Sequence, residues 1–295
     1  MFKYLPTRLS SIDSPTDDRE VMLILRLYRY LRYVINLVAF VRFRPIQPPE
    51  DPQLSSQDVT VILPSLEGDG SELMETIRSI LAAEPFEIIL VTIKAKEQRA
   101  KEFVKSMDTS RVRVLSVDNP NKRRQMVKAI PAVKTKITIF ADDDVTWPST
   151  ILKWILAPFD TNERYGGVAT CQRLRRKENM SLPEWVWGYL DALYLERRNF
   201  DCAATTYMDG GVPCLSGRTV AYRTEILQNP EFTQQFCNEH WLFNYQLNAD
   251  DDNFITRWMV SRNWETYIQY HPEAEVLTTL EDNPKFLYQC LRWAR

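Results

Sequence analysis

Histidine is almost absent from this 295-residue chain: only His240 and His271 occur, which excludes a histidine-rich metal centre. Cysteine is nearly as sparse. Cys171, Cys202, Cys214, Cys237 and Cys290 include no CxxC pair, and an odd, dispersed set fits reduced thiols rather than a disulfide framework or a zinc site. Net charge is also small, −2 at neutral pH, which argues against a protein built to grip nucleic-acid phosphates. The N-terminus lacks a clean apolar core followed by a small-residue cleavage site, so no signal peptide is read. Internal repeats and low-complexity tracts are missing too. What is present is a chain 44% hydrophobic and 26% charged, enough for a sizeable core in one large α/β domain or two small ones.

Residues 1–19 are polar and turn-rich, the composition of a poorly ordered end. From Glu20 to Arg44 the chain is dense in Leu, Ile, Val, Tyr and Phe, with arginines set among them. Arg26, Arg29, Arg32 and Asn36 recur at helical spacing and gather into an arc of roughly 120° at about 100° per residue. Arginines within the span argue against a transmembrane helix; an amphipathic helix at the membrane interface is the expectation. The alternative is a long helix packed on its own domain. Pro45-Ile46-Gln47-Pro48-Pro49-Glu50-Asp51-Pro52 reads as a semi-rigid connector. The division expected is a membrane-proximal segment, 1–50, and a catalytic domain, 51–295.

An alternating β/α pattern follows. Strands are expected at Val59–Pro64, Phe86–Thr92, Val112–Val117 and from Ile137, with helices from about Glu72 to Ala83, Lys96 to Met107 and Lys122 to Ile130. Strands separated by helices imply a mostly parallel, doubly wound sheet. Beyond Pro148 the pattern loosens. A short helix over Thr150–Pro158, strands near Gly167–Gln172 and Thr219–Arg223, and helices over Leu182–Arg198 and from the acidic run to Ser261 are expected. Trp185, Trp187, Tyr189 and Tyr194 on the Leu182 helix read as core aromatics.

The chemistry concentrates in two acidic knots. Ile137-Thr138-Ile139-Phe140-Ala141 runs straight into Asp142-Asp143-Asp144. Adjacent carboxylates raise one another's pKa unless a cation sits among them. Their oxygens are hard ligands suited to Mg²⁺ or Mn²⁺, and ligands of open α/β sheets bind beyond the carboxyl ends of strands. A solvated strand-end turn is the plain alternative. The second knot, Asp250-Asp251-Asp252-Asn253, opens a helix, where the macrodipole already favours acid. It lacks the glycine and distal glutamate of an EF-hand.

Between and after the knots lie Gly211-Val212-Pro213-Cys214-Leu215-Ser216-Gly217, followed by Tyr222-Arg223, and the terminal Gln289-Cys290-Leu291-Arg292-Trp293. In this order the motifs resemble the processive family 2 glycosyltransferases: the hyaluronan, chitin and cellulose synthases, and most closely the fungal polysaccharide-synthase-like members. The resemblance covers about residues 57–293 and implies a GT-A-type, Rossmann-like fold. It implies transfer of a sugar from a UDP-sugar donor to a glycan acceptor, with inversion, in cell-surface or cell-wall polysaccharide synthesis. It places the domain on the cytoplasmic side of a plasma membrane or endomembrane.

Carried onto this sequence, the resemblance makes Asp142 and Asp144 the Asp-x-Asp residues that hold Mg²⁺ or Mn²⁺ against the donor diphosphate. Asp143 falls to the second shell or the uridine side. Lys122 and Arg123 match the basic residues near the nucleotide; their plain alternative is an exposed helix start. Asp251 and Asp252 match the acidic pair that supplies the base, with Asp252 the base itself. Ser216 and Gly217 lie in the acceptor-proximal loop, with Cys214 as a pocket wall. Arg292 would pair with the diphosphate, and Gln289 and Trp293 would face the acceptor.

Two departures stand out. The family often has an Asp after the second strand to read uracil; Val91-Thr92-Ile93-Lys94 has none, so recognition passes to Ser65, Glu67 or the Thr92 region. The family continues into a transmembrane channel region, and with two residues after Trp293 the expectation is that this sequence does not include it. The competing readings are a nucleotidyltransferase, disfavoured because Glu67-Gly68-Asp69-Gly70 is acidic where a basic glycine-rich loop is needed, and a binding module that keeps the fold without catalysis.

Overall fold

The computed structural model describes residues 15–177, 179–242 and 244–293, giving backbone alone for residues 15–18 and Arg292. Most of the residues read as a poorly ordered end thus lie outside the described set. The core is a seven-stranded sheet in the order β10-β5-β7-β4-β1-β2-β3. Its strands are β1 (Val59–Pro64), β2 (Glu87–Ile93), β3 (Val112–Val117), β4 (Ile137–Ala141), β5 (Tyr165–Thr170), β7 (Thr219–Arg223) and β10 (Glu265–Gln269). Two small ribbons pair β6 (Gln172–Leu174) with β11 (Val276–Thr278), and β8 (His240–Trp241) with β9 (Tyr245–Gln246).

Every residue of β1 and β4 is buried, as continuous apolar runs require of strands covered on both faces. The covering helices are α2 (Ser71–Ala82), α3 (Glu97–Ser106), α4 (Lys122–Ala129), α5 (Ile151–Thr161), α7 (Thr224–Leu227), α8 (Pro230–Cys237) and α9 (Asp251–Val260). One strand breaks the parallel rule. β7 runs antiparallel to both β4 and β5, which sets the loop before it against the carboxyl end of β4.

The helix read over Leu182–Arg198 continues to Asp209 as α6 (Leu182–Asp209), ending at Gly210 in the left-handed region with φ +74°. Its aromatics correct the sequence reading. Trp185 and Tyr189 are half exposed and stack on each other with ring centroids 5.8 Å apart, outside the core. The N-terminal helix α1 (Pro15–Arg42) packs its C-terminal end on α6, with the Phe40 ring centroid 5.1 Å from that of Phe200; Asn36 and Ala39 are buried, as is Phe43 just beyond the helix. Residues 19–35 of α1 are exposed, Arg26, Arg29 and Arg32 included. Among the described residues no helix is long and apolar enough to cross a membrane. The proline connector lies along β10, where Tyr267 Oη donates to Arg44 O (2.8 Å) and Gln269 Nε2 to Ile46 O (2.8 Å). The last helix, α10 (Lys285–Trp293), returns the terminal motif to the sheet's carboxyl edge.

Candidate active site

A cleft of about 420 Å³ opens at the carboxyl end of β4. Its walls include Lys122, Asp142, Asp143, Asp144, Ser216, Gly217, Asp251, Asp252, Gln289 and Trp293, which come from five separated stretches of chain. The topology explains the convergence. β4 delivers the triplet, the loop before β7 crosses beside it, and the N-terminus of α9 closes the opposite wall. Asp142 N–H donates to Arg218 O (3.0 Å), which ties the triplet to that loop. Thr256 ties the loop to α9: its hydroxyl donates to Asp252 O (2.7 Å) and accepts from Leu215 N–H (3.0 Å).

Lys122, the first residue of α4, lies between the knots. Its ammonium stands 2.7 Å from Asp142 Oδ1 and 3.3 Å from Asp251 Oδ2. Burial opposes its charge, yet the Asp142 and Asp251 carboxylates hold its pKa above the usual lysine range. A Cβ on Gly217 would sit 3.4 Å from both Lys122 Nζ and Asp251 Oδ2, which places this glycine in contact range of the ion cluster.

The triplet's members differ. Burial, and then the Asp142 carboxylate, push Asp144 up to about 6, against a hydrogen bond from Thr279 Oγ1 (3.0 Å). Burial raises Asp143 as well, and the Ser65 hydroxyl opposes the rise. Among the described residues no group of three or more Asp, Glu, Cys or His side chains forms a self-contained metal cage. The donor set still fits a hard divalent cation held by one or two carboxylates with its remaining positions open. A cation there would also offset the Asp142–Asp144 repulsion, the second cause after burial of the Asp144 rise.

Asp252 lies in the first turn of α9, after Asp250, whose backbone is left-handed at φ +57°. Its Oδ1 accepts Asn253 N–H (2.8 Å), and its Oδ2 lies 3.8 Å from Arg198. Burial, then Asp251, raise its pKa, and Arg198 opposes them. Cys214 is a wall: burial, followed by the Asp252 carboxylate, pushes its thiol up to about 12, far from a reactive thiolate.

Three expected placements change. Arg123 does not reach the cleft. It is buried, donating to Phe236 O (2.9 Å) and Ala249 O (2.6 Å), paired with Glu239 (2.8 Å), and set over the Phe236 and Phe254 rings. Consecutive helical residues point about 100° apart, so Lys122 faces the carboxylates while Arg123 faces the core. The Trp293 ring is already engaged, stacked on Tyr194 with centroids 5.0 Å apart and carrying the Arg218 guanidinium at 5.3 Å. The uracil-reading candidates do not line the cleft directly, but the Ser65 hydroxyl meets Asp143 on its wall. Glu67 is a surface partner of Lys96 (2.7 Å), and Ser65 and Thr92 are buried. Arg292 belongs to α10, but its side chain lies outside the described residues.

Two cleft cations escaped motif reading. Arg218 is anchored by Gln172 Oε1 (2.9 Å) and Thr278 Oγ1 (3.2 Å); Arg198 projects from α6. An arginine next to the Ser216-Gly217 pair was the one available signal for Arg218. Arg198 had none, because it sits mid-helix outside any motif.

The profile described as "Glycosyltransferase like family 2" matches residues 56–295. A type 2 glycosyltransferase of Zymoseptoria tritici is 55% identical over 267 residues, covering 90% of this chain and 55% of that protein. One of Gibberella zeae is 50% identical over 268 residues, covering 91% and 51%. An NDP-glycosyltransferase of Aspergillus luteorubrus is 30% identical over 264 residues, covering 86% and 63%. The chain therefore spans about half the length of the two more similar relatives. A solved mannosyltransferase of Pyrobaculum calidifontis, in complex with GDP-Man and Mn²⁺, superposes with TM-score 0.58 at 14% identity, covering 89% of this chain and 69% of that one. That likeness shows a common GT-A-like fold.

Proposed function

This chain belongs to glycosyltransferase family 2, and from that premise we propose that it moves a sugar from a UDP-sugar to a glycan acceptor with inversion. The observation that carries the reading is one cleft at the strand ends with an acidic knot on each wall and Lys122 between them. Asp142 and Asp144 are the residues that would hold Mg²⁺ or Mn²⁺, which supplies positive charge to the departing diphosphate. Lys122 and Arg218 add fixed cations on the same side. On the other wall, Asp252 Oδ2 takes the proton of the acceptor hydroxyl. Asp252 is assigned as a base rather than a nucleophile, so a single displacement is the expected course. Gln289 and Trp293 shape the acceptor side. The finer reading is a polysaccharide-synthase-like enzyme of cell-surface or cell-wall assembly.

Membrane association belongs to the same proposal. Leu23, Ile24, Leu27, Tyr28 and Leu31 of α1 are more than half exposed, beside the exposed Arg26, Arg29 and Arg32. Apolar side chains among arginines suit the headgroup boundary, with the catalytic domain on the cytoplasmic face. Flotation on anionic vesicles should require residues 1–50; equal flotation of the chain lacking them would sink this part.

The transferase reading is tested by nucleotide release from UDP-glucose, UDP-N-acetylglucosamine, UDP-glucuronate and GDP-mannose with Mn²⁺ or Mg²⁺. Release from a UDP-sugar, and loss of metal-dependent UDP binding in Asp144→Ala, are expected. A folded protein that binds UDP with metal but turns over none of the four donors is a binding module instead.

A further inference from the structure

A second cavity, of about 210 Å³, meets the cleft at Arg198, Asp250, Asp252 and Trp293 and touches none of the acidic triplet. Arg198 stands at the junction. Its side chain is 24% exposed, and among the described residues none of its N–H groups makes a hydrogen bond; the nearest anion, Asp252 Oδ2, is 3.8 Å away. That distance is too long for a hydrogen bond but short enough for attraction between the charges. None of its nitrogens is sealed from solvent, so a ligand that enters the junction of the two cavities can take up these donors. Arg123 and Arg218, by contrast, hold protein oxygens. The donors of Arg198 open instead toward the space beside Asp252.

We propose that Arg198 anchors the acceptor by donating to the hydroxyl oxygen vicinal to the one that Asp252 deprotonates, which makes a neutral saccharide or polyol with adjacent hydroxyls the acceptor class. The inference rests on the transferase reading given above. The two side chains are complementary in role: the carboxylate accepts the reacting O–H, and the guanidinium donates to its neighbour. The reacting hydroxyl gives its proton to Asp252 Oδ2, and its oxygen bonds to the anomeric carbon. The bond from that carbon to the diphosphate oxygen breaks, its electron pair leaving with the nucleotide. Charge favours a neutral acceptor over a carboxylate or phosphate. Asp252 already balances Arg198, Asp201 lies 3.5 Å from Arg197, and Asp250 adds a further negative group to the same cavity.

The experiment compares wild type, Arg198→Gln and Arg198→Lys in the full chain, using the best donor of the panel above. Acceptor-free hydrolysis is measured first, then transfer to glucose, galactose, mannose and N-acetylglucosamine. For the best acceptor, its deoxy analogues follow. Measured on the plateau above the acidic limb of each variant's pH profile, Arg198→Gln should raise acceptor KM by about tenfold or more, a larger loss than it causes in hydrolysis, with Arg198→Lys between. One deoxy analogue should reproduce that loss in wild type and lose nothing further in Arg198→Gln. Equal losses in hydrolysis and transfer overturn the inference, as does a shifted acidic limb of the pH profile with acceptor KM unchanged. Preference for glucuronate or glucose 6-phosphate over glucose, abolished in Arg198→Gln, overturns the neutral-acceptor class. If wild type hydrolyses no donor, the transferase reading itself fails. Normal hydrolysis with an Arg198-independent acceptor KM defeats this inference alone.

Discussion

Lys122 Nζ stands 3.3 Å from Asp251 Oδ2, so one ammonium on α4 reaches the helix that carries the candidate base. The same ammonium pairs with Asp142, and among the described residues neither carboxylate has a second ion-pair partner. Replacing Lys122 with Met removes a cation from the donor side and leaves both knots unbalanced. Metal-dependent UDP binding should weaken by about tenfold or more, the scale of one charge-assisted hydrogen bond of about 1.5–3 kcal/mol. Isothermal titration would check this. Unchanged affinity with a lowered Tm would make Lys122 a structural strut only.

Asp252 fixes the expected pH profile. Burial and Asp251 raise its folded-state pKa, and a base must be deprotonated to act, so activity should fall on the acidic side at a pH above the ordinary aspartate range. Asp252→Asn should reduce kcat by about 10²–10⁴-fold with far-UV circular dichroism unchanged. A variant that retains most of its rate would pass the role to Asp251 or to water.

Arg123 gives a contrasting outcome. Its guanidinium grips Phe236 O and Ala249 O and pairs with Glu239, so it holds the segment leading into the second acidic knot. Arg123→Met breaks a buried pair and should cost on the order of 3 kcal/mol, seen as a drop in Tm of roughly 2–4 °C per kcal/mol. UDP affinity of the folded fraction should stay near wild type. Loss of UDP binding at unchanged Tm would return Arg123 to the nucleotide.

The sequence made the donor half of the sheet legible and blurred the rest, for physical reasons. β1, β2 and β4 are apolar runs bounded by turn residues, and burial on both faces produces that pattern. β10 reads Glu265-Thr266-Tyr267-Ile268-Gln269, neither an apolar run nor an alternation, and only its pairing with β5 defines it. The direction of β7 depends on the path of a long connection, which no local pattern records. Between Arg198 and Gly210 nothing breaks a helix, but buried Asn199 and Thr206 interrupt the apolar stripe that marks one. Both acidic knots were visible because like charges rarely adjoin without cause. Arg198 was not, because its meaning comes only from what α6 is packed beside.

Asp191 lies away from the reacting groups and offers a test of the fold around α10. It is buried on α6, its Oδ1 has no hydrogen-bond partner among the described residues, and burial, then Asp282 and Glu281, push it up to about 7. The sign follows from linkage. A carboxyl whose folded pKa exceeds its unfolded value stabilises the fold fully below the unfolded pKa, and that contribution is lost as pH rises through the folded pKa. Ionised Asp191 would be buried, unpaired and close to two further acids. Asp191→Asn cannot ionise, so its Tm advantage over wild type should grow between about pH 4 and about pH 8, by at least about 3 °C, and level off beyond. Differential scanning fluorimetry across that range checks it. A Tm difference independent of pH would mean that Asp191 gains a partner in solution, with Arg175, Arg176 and Lys177, which line the same cavity, the candidates.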